Sequence, residues 1–207
     1  MKYVYYALLL AGLIILLIRW RRVDWCLQLF LPLYVCNIVT EVLSDLYGSY
    51  FLYHINQTIG FLLLCLYYYH ILRNDRFRIS IWIAFGLYLV YFTAYFIRWP
   101  SHFFSYDPID FVVEGVFVTM FSLNYLIGLY RRGSELKFSR NPHFWISSGN
   151  LLFYSGSAFF MGFAFNLFKE NRTLYLELSY IVYFLNLILY SIYIKAFLCP
   201  LKGSQPN

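Results

Sequence analysis

Charge is scarce in this chain of 207 residues. Asp, Glu, Lys and Arg make up 13% of it, about half of the roughly 25% that a soluble domain carries. Hydrophobic residues reach 61% and aromatics 24%, so too little polar surface is left to cover a water-soluble fold, and the composition is that of a chain solvated by lipid. Cysteine is scarce too. Cys26, Cys36, Cys65 and Cys199 contain no C-x-x-C pair, and none falls in a segment expected on the outer side, which argues against a disulfide framework and a zinc site. Cys199 reads first as a small buried residue and only second as an acylation site.

The motifs of nucleotide and hydrolase chemistry are missing as well: no P-loop, G-x-S-x-G, H-E-x-x-H or G-x-G-x-x-G occurs. Histidines His54, His70, His102 and His143 are isolated, so a metal hydrolase inside the membrane would have to be assembled from carboxylates and His54. No metal site and no cofactor is expected. The middle of the last apolar run holds Asn186, with Lys195 about two to three turns further on, so the Schiff-base lysine of a retinal protein is lacking. The paired proline–glutamine signature of the seven-helix sugar transporters is lacking too. No repeat, low-complexity tract or long linker divides the chain, which leaves one domain over 1–199 and a short tail, 200–207.

What the chain does have is seven apolar runs, at about 3–18, 25–46, 51–72, 79–97, 111–130, 143–168 and 173–199. Each is near the roughly 20 residues that a helix needs to cross a bilayer. The first run leads into Arg19, Arg21 and Arg22 with no small-residue cleavage site, so a retained helix is expected there rather than a signal peptide. The expected fold is therefore all-α, a polytopic seven-transmembrane-helix bundle. The segments after the first, third and fifth runs, together with the C-terminal end, hold twelve of the 16 Lys and Arg, and the other side holds Lys2, Arg98, Lys169 and Arg172. The positive-inside rule then places the N-terminus outside and the C-terminus in the cytoplasm. The formal net charge of +6 reads as a topology signal and not as a nucleic-acid footprint; the first expected partner is the lipid bilayer of a cell membrane, and the bacterial inner membrane is the expected location.

Polar residues on the apolar runs fall on faces. In CNIVTEVLSD, Asn37, Thr40, Glu41, Ser44 and Asp45 follow the i, i+3, i+4, i+7, i+8 spacing of one helical stripe. The third run offers His54, Gln57 and Thr58, the fourth ends at Arg98, and the fifth begins with Asp110 and Glu114 one turn apart. Glu41, Gln57, Glu114 and Glu177 each lie about one to two turns from the outer end of their run, roughly 6–9 Å deep. Ionisable groups cost about 2.5–3.5 kcal/mol each near a bilayer centre and usually face the bundle interior or a wet cavity. Glu41, Asp45, His54, Gln57, Arg98 and Glu114 are therefore expected to line an outer-half polar pocket, with Arg98 as the natural counter-ion of one acid. The alternative is that the same groups pair to lock helices together.

In the sixth run Ser148, Ser155 and Gly162 stand seven apart, with Gly149 and Gly156 on the neighbouring row. This marks a close-packing face of the small-residue kind. Asn186 is expected to hydrogen-bond across the bundle, to Asn124 or Asn150. The runs HFWISSGNLLFYSGSAFF and LYHINQTIGFLLLCLYY resemble those of short seven-helix integral membrane proteins of bacteria to which no function is attached. That resemblance implies the topology and no chemistry.

Three function classes follow. The first is a non-enzymatic sensor or transducer that binds a small ligand or cation in the outer pocket and acts through a cytoplasmic or membrane protein partner, with assembly as a homo-oligomer also open. The second is a small transporter or channel, for which polar stripes should reach both faces. The third is an intramembrane enzyme acting on lipid, which needs two carboxylates and a polarised water.

Overall fold

The computed structural model describes residues 2–47, 50–101, 108–131 and 138–199. The tail at 200–207, and with it Lys202, lies outside the described residues, as do His102, Arg132 and Lys137. The described residues form helices and no strand: α1 (Lys2–Ile18), a single turn α2 (Trp25–Gln28), α3 (Phe30–Tyr47), α4 (Phe51–Ile71), α5 (Asp75–Arg98), α6 (Ile109–Arg131), α7 (Pro142–Glu170) and α8 (Arg172–Leu198). Seven of them are long. Four stretches, Trp25–Tyr47, Asp75–Arg98, Ile109–Arg131 and Thr173–Leu198, are long and apolar enough to cross a bilayer by length and composition.

Local chemistry explains where the helices differ from the expected runs. The second run is broken at Leu29 into α2 and α3. Pro32 has no N–H to offer the Gln28 carbonyl four residues back, and its ring crowds that carbonyl. The charged stretch before the fourth run becomes the first turn of α5, because the Asn74 side chain accepts a hydrogen bond from Arg76 N at 3.1 Å and caps the helix there. Asn141 does the same for α7, accepting from His143 N at 3.0 Å with Pro142 at the first helical position. A single residue, Asn171, joins α7 to α8: its N–H reaches Leu167 O at 2.8 Å and its side chain accepts from Leu174 N at 3.0 Å.

With connections this short, sequential helices pack as neighbours. Contacts run α1 to α3, α3 to α4, α4 to α6, α6 to α7, α7 to α8 and α8 back to α1, which closes a ring, while α5 lies outside it against α4 and α6. Aromatic side chains fill the middle. Phe30 meets Tyr67 and Tyr193 edge-on at centroid separations of 5.2 and 5.0 Å, and Tyr34 meets Tyr190 at 5.5 Å. Edge-to-face contacts of this kind pack large rings without voids.

The outer faces are apolar and exposed. Val35, Val39, Val42 and Leu46 form one outward stripe on α3, and Val116, Met120, Leu123 and Ile127 form another on α6. Apolar stripes of this extent do not persist in water. Together with the apolar helices they mark a membrane-embedded protein.

Helix packing on α7 follows the neighbouring row and not the one expected. Ser155 is exposed and returns its hydroxyl to Leu151 O at 2.6 Å, and a Cβ placed on the exposed Gly162 meets nothing within 4 Å. Close approach occurs at Gly149, where a Cβ would come 3.0 Å from Ile192 of α8, at Gly156, where it would come 2.9 Å from Leu185, and at Gly115 of α6, 2.8 Å from the Ala158 Cβ. Ser148 is partly buried, whereas Ser147 and Ser157 are fully buried. Successive helical residues differ by about 100° in direction, so a shift of one position moves the contact row to the next face.

Candidate functional site

Polar side chains inside the bundle gather at three levels. At the first level, near the start of α4 and of α6, these two helices face each other through His54 and Asp110, both buried, with Nδ1 and Oδ2 2.7 Å apart. That is the spacing of a charge-assisted hydrogen bond in which the imidazole N–H donates. The second Asp110 oxygen accepts from Phe111 N at 2.9 Å. One turn further in, Glu114 is 1% exposed. Its Oε1 accepts from the Tyr154 hydroxyl of α7 at 2.9 Å, and its Oε2 accepts from the Gln57 amide of α4. Beside them Thr58 and Tyr88 hydroxyls lie 3.2 Å apart, bringing α5 to the same level.

The α3 stripe looks elsewhere. Asn37 donates to the Tyr190 hydroxyl of α8 at 3.0 Å and accepts from Asn56 of α4 at 2.8 Å. Thr40 and Ser44 are buried, Glu41 is partly buried and Asp45 is exposed. The Tyr6 hydroxyl of α1 reaches Asp45 at 3.0 Å and Glu41 at 3.4 Å, and Tyr53 of α4 reaches Glu41 at 3.4 Å. The six residues expected in one pocket are thus divided. His54, Gln57 and Glu114 belong to an α4–α6–α7 cluster, and Glu41 and Asp45 to a tyrosine-ringed one among α1, α3 and α4.

Arg98 joins neither. It is exposed, with its guanidinium 5.0 Å from the centre of the adjacent Trp99 ring, and among the described residues no carboxylate pairs with it. Placed on the last residue of α5, its long side chain extends toward the helix end and away from the acids one to two turns deeper. Glu177 is exposed on α8. Asn186 also departs from expectation: its amide donates to Val182 O at 3.1 Å, within its own helix.

The middle level is built by Asn150. Its amide donates to the Tyr68 hydroxyl at 2.9 Å, and its carbonyl accepts from Tyr193. Tyr68 also lies 2.6 Å from the Ser122 hydroxyl, so one buried junction ties α4, α6, α7 and α8. At the third level His143 of α7 sits 3.1 Å from the Tyr67 hydroxyl and 3.5 Å from Asp24.

Asp110 lies outside the pocket expected from the sequence. Its signal was the Asp110–Glu114 spacing on one face, which also brings the first acid to the depth of His54. Tyr68, Tyr154 and Tyr193 carried no comparable signal, because 22 tyrosines give no means of telling bonded hydroxyls from interfacial ones. Among the described residues no group of three or more His, Cys, Asp and Glu is placed to hold a metal ion. The α4–α6–α7 cluster offers instead two buried carboxyl groups, one imidazole, and neutral amide and hydroxyl donors. Such an arrangement can accept one positive charge. The chain matches no protein-family model, no characterised protein and no solved structure.

Proposed function

We propose that the chain crosses the membrane seven times, N-terminus outside and C-terminus in the cytoplasm, and works as a cation-binding or proton-binding sensor component. The observation that carries the reading is Glu114. Its carboxyl is buried where α4, α6 and α7 meet, held by an amide and a hydroxyl, and no Lys or Arg among the described residues bonds to it. A carboxylate removed from water costs several kcal/mol unless a positive charge joins it. A proton or small cation entering between α4 and α6 would be stabilised there, and the same three helices meet again at the Asn150 junction, about one turn from Tyr154. A charge bound at Glu114 therefore acts on the packing of the ring, and the basic inner loops would pass that change to a cytoplasmic or membrane partner.

Seven crossings are supported by the way the less apolar helices pack. α4 and α7 are diluted by His54, Asn56, Gln57, Ser147 and Asn150, but these point into the ring, and both helices lie beside strongly apolar ones.

The test is tryptophan emission from the full chain in nanodiscs, titrated with acid and, separately, with sodium chloride and tetramethylammonium chloride. A saturable change in one titration that is absent in Glu114→Gln is expected. No saturable change in any of them, or one that survives in Glu114→Gln, overturns the reading. The polar levels that continue inward favour transport as the second reading: flux of the bound ion into sealed vesicles, lost in Glu114→Gln, would place it first.

A further inference from the structure

A groove lies at the other end of α1, away from the acid cluster. The chain leaves α1 through a hydrogen-bonded turn, with Arg22 N reaching Arg19 O at 2.8 Å and Val23 N reaching the same oxygen at 3.0 Å. The Gln28 amide pins this turn by donating to Trp20 O at 2.9 Å. Arg19 is used structurally, its guanidinium donating to Phe197 O and Cys199 O at 3.3 and 3.4 Å at the end of α8. Arg21 and Arg22 are exposed and pair with no carboxylate among the described residues. They border a groove of about 570 Å³ whose other walls are Leu17, Ile18, Trp20 and Leu31. Leu17 and Ile18 are 51% and 77% exposed. A hydrogen-bonded turn thus holds two guanidinium groups beside an apolar groove whose walls include the exposed Leu17 and Ile18 of α1.

We propose that this groove binds one anionic phospholipid, its phosphate between Arg21 and Arg22 and the upper part of an acyl chain along Leu17, Ile18 and Leu31. Planar guanidinium groups match phosphate oxygens in paired hydrogen bonds, and the apolar walls suit a chain and not a free anion. The inference goes beyond the proposed function and rests on that reading for one point, that α1 lies in the membrane with Arg21 and Arg22 at its boundary.

Native mass spectrometry of the delipidated full chain, titrated with phosphatidylglycerol and with phosphatidylcholine, tests it. Each basic residue near an anionic surface contributes a factor of about five, so a preference of about 25-fold for phosphatidylglycerol is expected. Arg21→Gln/Arg22→Gln should abolish the preference, and Arg73→Gln/Arg76→Gln, which removes the same charge from exposed positions just before α5 and in its first turn, should retain it. Equal losses in the two variants would reduce the effect to the charge of the rim, and a preference surviving in the first would place the lipid elsewhere. Either result overturns the proposal. If the first variant fails to fold, phenylglyoxal modification of the unaltered protein decides. Phosphatidylglycerol should protect Arg21 and Arg22 several-fold more than Arg73 and Arg76, and equal protection counts against the site.

Discussion

His54 and Asp110 show what a buried pair does when neither member reaches water. The imidazole and the carboxyl are 2.7 Å apart, with side chains 5% and 6% exposed. Removing one partner strands the other, and breaking such pairs costs about 3–5 kcal/mol, whereas replacing both with apolar residues is often close to neutral. His54→Leu is expected to lower stability by about 3 kcal/mol or more, and His54→Leu/Asp110→Leu to recover most of that loss. Thermal unfolding in detergent across the four proteins of the cycle measures it, and additive losses would show the pair to be uncoupled. Arg98 is the contrasting residue. It was the obvious counter-ion in one dimension, being the outer-half arginine of a helix, yet it stacks on Trp99 at 5.0 Å and leaves the acids to amides, hydroxyls and an imidazole. Position along a helix is legible in the sequence, but it could not say which way a flexible side chain on a terminal turn would run.

Close approach at the level of whole helices rests on glycines whose missing Cβ makes room for a neighbour. A Cβ on Gly115 would lie 2.8 Å from Ala158 Cβ and 3.4 Å from Tyr154 O, and one on Gly12 would fall 2.6 Å from the hydroxyl of the buried Tyr34. Neither obstacle can step aside: Ala158 has no side-chain rotamer to change, and Tyr34 is 0% exposed. Gly115→Ala should therefore push α6 from α7 and destabilise by about 1–3 kcal/mol. Gly162→Ala and Gly86→Ala, with nothing within 4 Å, should be neutral or gain up to about 1 kcal/mol from helix propensity. Melting temperatures of the three variants in one detergent separate these outcomes, and a tolerated Gly115→Ala would mean the two helices are free to part. The Ser148, Ser155 and Gly162 row had the regular spacing, but spacing fixes only that small residues share a face. Which face meets a neighbour depends on the helix's rotation, and α8, through Leu185, Leu189 and Ile192, takes the Gly149 and Gly156 side.

The whole molecule turns on how many times it crosses the bilayer. Seven crossings put Ser101 and Thr173 on the same, outer side. If only the four most apolar stretches cross, these residues fall on opposite sides. Ser101→Cys and Thr173→Cys, both at exposed positions, should each react in intact cells with a membrane-impermeant maleimide, and Ser139→Cys should react only after permeabilisation. Labelling of one but not the other of the first pair would exclude seven crossings. Background is low, since Cys26, Cys65 and Cys199 are buried and Cys36 is only partly exposed.

The sequence by itself determined the all-helical class, the membrane environment, the positions of the seven long helices and the distance of each polar residue from its helix end. These depend on local composition and on the fixed rise of a helix, about 1.5 Å per residue. Packing alone decided that Glu41 answers to Tyr6 and Tyr53 while Glu114 answers to Gln57 and Tyr154, that Asp110 completes His54, and that Asn150 rather than Asn186 ties the helices together. Each of those pairings depends on how two helices are rotated against one another. That rotation is set by rings and glycines meeting across the bundle, far apart in the chain.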